Sequence, residues 1–119
     1  AAIGFCFGGR QVMWLGTAVT GLDAIVQFYG GTIDDPAQFG NLRTNGPMLG
    51  IFGEDDTILP TTDVRAFEAL LQSEGLSHTF YYYPGVGHGF ANEMDAIAQP
   101  GPAQDAWQVT LDFLAEQLN

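Results

Sequence analysis

A glycine-framed cysteine near the start of the chain constrains the fold more than any other feature. The apolar residues Ala1 to Phe5 are typical of a short buried strand, and Cys6 follows directly, with Gly4 and Gly8 on either side. The pattern G-x-C-x-G before a helix-compatible segment is typical of a nucleophile elbow, a strained turn between a strand and a helix. We expect side chains at either glycine to collide in such a turn.

An elbow of this kind supplies two parts of a catalytic site. It points the sulfur of Cys6 outward and leaves the backbone N–H of Phe7 able to donate to an oxyanion. An isolated cysteine is more often a small buried apolar residue. The glycine-framed context favours a nucleophile instead, and with it a cysteine hydrolase.

Strand and helix patterns alternate along the rest of the chain. Strands are predicted over residues 1–5, 24–29, 48–52 and 77–83. Helices are predicted from about Gly9 to Gly16, from a cap at Thr61 or Thr62 to Gly75, and from about Pro102 onward. The last helix is expected to bury an apolar stripe formed by Trp107, Leu111, Leu114 and Leu118.

This alternation predicts an α/β fold. Short apolar strands separated by helices form a parallel sheet that is covered by helices on both faces. With 119 residues, we expect one domain, residues 1–119, containing about four strands.

Candidate site residues follow three of the predicted strands. Cys6 follows the first strand, the acidic run Glu54-Asp55-Asp56 follows the third, and His88 follows the fourth. Sites in open parallel sheets gather at the carboxyl ends of the strands. A thiol needs a base to become a nucleophile, and the base needs an acid to fix its tautomer. The order nucleophile, acid, histidine is that of α/β-hydrolases, although spacing alone does not choose between the two aspartates.

Other side chains have simpler interpretations. The carboxylates and His88 lack the H-E-x-x-H or C-x-x-C spacing of a metal site, so no metal is predicted. His78 lies inside a strand and is interpreted as structural. Arg10, beside the elbow, could meet an anionic substrate, although a solvent-facing helix residue is the simpler interpretation. A redox-sensing role for the Cys6 thiol is a weaker alternative.

The charge balance excludes two classes of partner. The chain has 14 acidic residues against three arginines and no lysine, with a net charge of −11. No basic patch for nucleic acid or for an anionic membrane surface can be assembled from so few cations. No apolar run is long enough to span a membrane, and no signal peptide is recognisable. A single cysteine allows no internal disulfide, so we expect a cytoplasmic protein.

Three segments in order resemble the dienelactone hydrolase (carboxymethylenebutenolidase) family. They are GFCFGG at 4–9, GIFGEDD at 50–56 with Pro60, and YPGVGHGF at 83–90. The resemblance implies that Cys6 is the nucleophile, His88 the base and Asp56 the acid, because the family's aspartate lies four residues before a proline. It also implies an ester or lactone hydrolase that forms a thioester acyl-enzyme and uses no metal or organic cofactor.

The resemblance covers only the carboxyl-terminal half of the family. By that comparison the early strands, a second oxyanion donor and a glutamate that helps to form the thiolate are missing. The chain also opens inside a strand, so we expect it to be a piece of a longer domain. One absent oxyanion donor predicts a loss of about 10²–10³ in rate. Asn92 stands where the family's dienelactone enzymes have a substrate-binding arginine, which argues against dienelactone as the substrate.

The same comparison predicts an association surface. The nucleophile strand lies inside the family's sheet, so here its outer edge would be unpaired, and apolar edges of that kind pair with other chains. We expect a homo-oligomer or pairing with a missing amino-terminal half. The alternative to a small-molecule ester or lactone hydrolase is a non-catalytic remnant that acts through such association.

Overall fold

Four strands form a single parallel sheet in the computed structural model, which describes residues 1–119. They are β1 (Ala2–Phe5), β2 (Ile25–Phe28), β3 (Met48–Gly53) and β4 (His78–Tyr83). Their order in the sheet is β1-β2-β3-β4, and each strand pairs in parallel with the next one along the chain. The predicted α/β class is confirmed, and each strand boundary lies within one residue of its prediction.

Four helices connect or follow these strands. They are α1 (Phe7–Ala18), α2 (Thr61–Ser73), the single turn α3 (Met94–Ile97) and α4 (Pro102–Leu118). Helix α1 begins earlier than predicted because the elbow is itself the first turn: the Arg10 N–H donates to the Cys6 carbonyl at 3.2 Å. The segment predicted as a loop contains two short 3₁₀ turns, Pro36–Gln38 and Leu42–Thr44.

The predicted cap of α2 was wrong. Thr61 and Thr62 lie inside the helix, and Pro60 takes the N-cap position without a side-chain hydrogen bond. The carbonyl of Pro60 accepts the N–H groups of Asp63 and Val64 at 3.0 and 3.3 Å, so the backbone alone closes the first turn.

Helices cover both faces of the sheet, as predicted. Side chains of a strand alternate between its two faces, so Ile25 and Met48 face α1 and α2, whereas Val26 and Leu49 face α4. The core on the first face is formed by Met13, Ile25, Ile33, Phe39, Leu42, Met48, Phe67 and Leu71. The core on the second face is formed by Val26, Phe28, Tyr29, Leu49, Ile51, Ala91, Ala103 and Ala106.

Helix α4 buries only part of the predicted stripe. Trp107 and Leu114 are partly buried and pack against the second core, whereas Leu111 and Leu118 are exposed. The buried residues of the helix are Ala103, Ala106 and Thr110. They are spaced i, i+3, i+7 and therefore share one side of the helix, which the predicted stripe did not include.

Strand β1 lies at one edge of the sheet, where β2 is its only partner. The Ile3 side chain on this strand is 39% exposed. None of the four helices combines the length and the apolar character needed to cross a bilayer.

Candidate active site

A strained turn joins β1 to α1 and carries Cys6. The cysteine has φ 52° and ψ −122°, in a region that L-residues rarely adopt, and such a conformation costs about 1–3 kcal/mol. The Cys6 N–H donates to the Phe28 carbonyl of the neighbouring strand at 3.0 Å. This bond fixes the turn to the carboxyl end of β2.

Two glycines let the turn pack tightly. A side chain at Gly4 would overlap the backbone carbonyl of Gly8, and one at Gly9 would come within 2.9 Å of the Gly30 Cα. The expectation for Gly8 was wrong, because a side chain there would meet no atom within 4 Å. The close approaches therefore occur at Gly4, near the end of β1, and at Gly9, on α1.

A fully buried glutamine supports the elbow from β2. The Gln27 Oε1 accepts the N–H groups of Gly30 and Gly31, and its Nε2 donates to the Gly31 carbonyl, all at 3.1 Å. These bonds hold Gly30 against Gly9 on α1. Gln27 was not among the predicted site residues, although a polar residue within an apolar strand was the available signal.

Asp56 and His88 form the best-defined polar contact of the site. The Asp56 Oδ2 lies 2.8 Å from the His88 Nδ1, and the aspartate side chain is only 1% exposed. Its other oxygen, Oδ1, accepts the backbone N–H groups of Ile58 and Leu59, each at 2.8 Å. Three hydrogen bonds therefore satisfy the buried carboxylate and fix its direction. The neighbouring Asp55 is exposed.

The hydrogen bond to Asp56 also determines what the imidazole can do. An ionised carboxylate accepts hydrogen bonds only, so the His88 Nδ1 carries the proton and the Nε2 is left as the basic atom. The ring remains partly open to solvent, with 23% of the side chain exposed. This arrangement is suited to general acid and base chemistry.

The Cys6 sulfur contacts Asn92 rather than the histidine. The Asn92 Nδ2 lies 3.3 Å from the Cys6 Sγ, and the Asn92 Oδ1 lies 3.7 Å from it. No hydrogen bond joins the sulfur to the His88 ring in this structure. Hydrogen bonds between catalytic groups often form only when substrate is bound, so this geometry does not bar His88 from serving as the base.

The buried Tyr29 lies between Asn92 and His88 and contacts both. Its hydroxyl donates to the Asn92 Oδ1 at 2.5 Å, and its ring centroid lies 5.2 Å from that of His88. Its φ of 39° is a second strained backbone conformation at this edge. Burial raises the pKa of the Tyr29 hydroxyl well above its usual range, so the hydroxyl remains a donor. The sequence analysis overlooked Tyr29, although it follows β2 directly, at the edge where sites gather.

The first residue of α1 supplies a backbone donor beside the sulfur. Phe7 opens the helix, so its N–H has no acceptor within the helix. Phe7 as a whole is 74% exposed. The macrodipole of α1 also favours negative charge at this end.

Two hollows lie near these residues. An open cleft of about 380 Å³ lies beside His88 and includes Arg10, Tyr29 and Leu59 in its walls. A second hollow of about 440 Å³ is mostly apolar and is lined by Phe5, Ala91, Asn92, Met94, Ile97 and Trp107. A small molecule could contact the site from either side.

The side chains of the remaining candidates form no hydrogen bond with Cys6, Asp56 or His88. His78 packs in β4, where its Nδ1 lies 2.8 Å from the Leu76 carbonyl and its Nε2 lies 3.4 Å from Glu68. Arg10 is exposed, and its stem runs alongside Gly31. No three side chains of the types His, Cys, Asp and Glu converge as a metal-binding group.

The parallel sheet with a strained cysteine elbow, and with the histidine and its acid beyond the carboxyl ends of later strands, places the chain in the α/β-hydrolase class. The sequence model of the dienelactone hydrolase family matches residues 1–118. The chain therefore belongs to the dienelactone hydrolase family.

Known relatives agree with this assignment. A Synechocystis protein provisionally named a carboxymethylenebutenolidase is 33% identical over 124 residues, covering 98% of this chain and 50% of the relative. A Klebsiella pneumoniae crystal structure, provisionally described as a dienelactone hydrolase, is 26% identical with a TM-score of 0.74 and covers 95% and 50% of the two chains.

A more distant structure shares the fold. A dienelactone hydrolase-like promiscuous phosphotriesterase from metagenomic libraries is 23% identical with a TM-score of 0.80, covering 97% of this chain and 51% of that one. The chain spans about half the length of the curated relatives it matches.

Proposed function

We propose that this chain carries the nucleophile, the base and the acid of a cysteine-dependent hydrolase of small carboxylic esters or lactones. The observation that supports this most strongly is the buried Asp56 carboxylate bonded to the His88 Nδ1, at the edge of the sheet where the elbow carries Cys6. Family membership supports the same reaction class.

In the proposed first step, the Cys6 sulfur is acylated by the substrate. The His88 Nε2 accepts the thiol proton, sulfur attacks the ester carbonyl carbon, and a C–S bond forms while negative charge moves onto the oxygen. The Phe7 N–H donates to this oxyanion. The C–O bond then breaks, and the leaving alkoxide takes the proton from the His88 imidazolium.

In the proposed second step, water releases the acid. His88 takes a proton from the water while the water oxygen attacks the thioester carbonyl carbon. A second oxyanion forms, and the Phe7 N–H donates to it. The C–S bond breaks and sulfur leaves as a thiolate beside the protonated histidine. Asp56 remains ionised throughout, because its role is to hold the imidazole and stabilise its charged form.

Trapping the acyl-enzyme tests this function. We expect an activated aryl ester to add one acyl group to the parent chain, located on Cys6 by peptide mapping after intact-mass measurement. The Cys6→Ala variant should gain none. An adduct on another residue, or no adduct at all on a chain that circular dichroism shows to be folded, would contradict the proposal.

The unpaired edge of β1 favours association of the chain with another chain. The outer edge of β1 has no partner strand, and in the same stretch of chain the side chains of Ile3, Phe7 and Leu15 are 39%, 74% and 41% exposed. Unpaired apolar edges pair with other chains. We propose that the isolated chain covers this edge with a second copy of itself.

Sedimentation tests the association. At micromolar concentration we expect a species heavier than the 12.8 kDa monomer. Ile3→Lys should lower the mass towards the monomer, because a lysine on an edge strand opposes pairing. Leu118→Lys is the matched control, since Leu118 is 52% exposed at the end of α4, a helix that packs against β3. A folded monomer for the parent chain would contradict the proposal.

A further inference from the structure

The environment of the Cys6 sulfur points to a positioning residue that the triad does not include. We propose that Asn92 holds this sulfur through an N–H···S hydrogen bond, with its amide turned into that orientation by the buried Tyr29 hydroxyl. The inference deepens the proposed hydrolase function, because the sulfur it concerns is the proposed nucleophile.

The Tyr29 hydroxyl determines which end of the amide faces the sulfur. It donates to the Asn92 Oδ1 at 2.5 Å, and burial keeps the hydroxyl protonated. With the oxygen turned towards Tyr29, the Nδ2 is the closer atom to the Cys6 Sγ and donates to it at 3.3 Å, whereas the thiol reaches the Oδ1 as a donor only at 3.7 Å. Flipping the amide would remove the donor from the sulfur, and the Tyr29 hydroxyl would have to accept from the Nδ2 instead of donating to the Oδ1.

A donor at this place favours the anionic form of the sulfur. Hydrogen bonds to charged groups are stronger than those between neutral groups, so an amide N–H stabilises a thiolate more than a thiol. Asn92 and Tyr29 therefore hold the sulfur through contacts within the chain that carries it.

The loop that carries Asn92 is built to make room for its amide. Gly89 has φ +77°, a left-handed conformation that favours glycine. A side chain there would also come within 2.8 Å of the Asn92 Nδ2. The Asn92 N–H donates to the Gly89 carbonyl at 3.0 Å, which closes the turn between the histidine and the asparagine.

Alkylation of Cys6 by iodoacetamide tests the arrangement without any ester. In that reaction the thiolate forms an S–C bond and iodide leaves, so the rate at fixed pH reports the reactivity of the sulfur itself. We expect Asn92→Leu, which removes the donor at similar volume, to slow alkylation about tenfold to a hundredfold. Tyr29→Phe, which leaves the amide able to turn, should slow it about threefold.

A charge-bearing variant separates positioning from space filling. Asn92→Asp has nearly the same shape, but it replaces the donor with a carboxylate that repels a thiolate. Asn92→Asp should slow alkylation at least as much as Asn92→Leu. Both variants should also lose thiolate ultraviolet absorbance relative to the parent, measured against Cys6→Ser as the blank. Tyr82→Phe is the matched tyrosine control, because its hydroxyl bonds Glu68 away from the site, and it should match the parent.

The outcomes separate this inference from the proposed function. Unchanged or faster alkylation in folded Asn92→Leu and Asn92→Asp would overturn the positioning role, even if the parent hydrolyses esters. Slower alkylation in both would support it, even if the parent shows no hydrolysis and the proposed function fails.

Discussion

Replacing Asp56 by asparagine is expected to lower kcat for ester hydrolysis by about 10⁴-fold. The carboxylate Oδ2 accepts the proton of the His88 Nδ1 at 2.8 Å, and an amide nitrogen placed there would demand the opposite tautomer. The Nε2 would then carry the proton and could no longer accept one from Cys6. Steady-state kinetics on an activated ester measures this loss.

The Asp56→Asn variant should remain folded, because its amide oxygen still accepts the N–H groups of Ile58 and Leu59. Asp55→Asn is the matched control: it removes the same charge one residue away on an exposed side chain. Its kcat should stay within about twofold of the parent, as for other surface substitutions. Equal losses in the two variants would mean that Asp56 acts only through overall charge, contrary to the proposed triad.

Replacing Gly4 by alanine is expected to destabilise the fold by about 3 kcal/mol. The new methyl group would overlap the backbone carbonyl of Gly8, and backbone cannot move aside as the end of a flexible side chain can. Relief requires β1 and the start of α1 to separate, which also distorts the turn at Cys6. Urea unfolding followed by circular dichroism measures the change.

For Gly8→Ala, four residues further along the chain, we expect no loss of folding stability. Its side chain would meet no atom within 4 Å, and alanine has the higher helix propensity. We expect stability to be unchanged or higher by up to about 1 kcal/mol. A loss in Gly8→Ala comparable to that in Gly4→Ala would contradict this account of the elbow.

The fold was predictable because its signals are local. Each apolar run that forms a strand ends at a glycine, a proline or the elbow, and the short runs separated by helix patterns leave little choice besides a parallel sheet. The face of α4 was not predictable in the same way. Leu111 and Leu118 extend the apolar stripe beyond the part that contacts the sheet, and only the docked helix shows that Ala103 and Ala106 make the contact.

The polar site was predictable only in part. Cys6 and His88 stand in sequence patterns with a known order, whereas Asp56 was chosen over Asp55 only through the family resemblance. The contact between Tyr29 and Asn92 joins residues 63 positions apart, and no local pattern carries it. The left-handed backbone of Tyr29 was equally hidden, because non-glycine residues rarely adopt it.

The lifetime of an acyl group on Cys6 tests the central claim most directly. Purified parent chain and His88→Ala would be mixed with the same activated aryl ester, and intact mass would be followed over time. With a working triad, the adduct forms quickly on the parent and then decays, whereas on His88→Ala it forms slowly and persists. An adduct that forms equally fast without His88, or none on either chain, would contradict the claim that His88 activates Cys6.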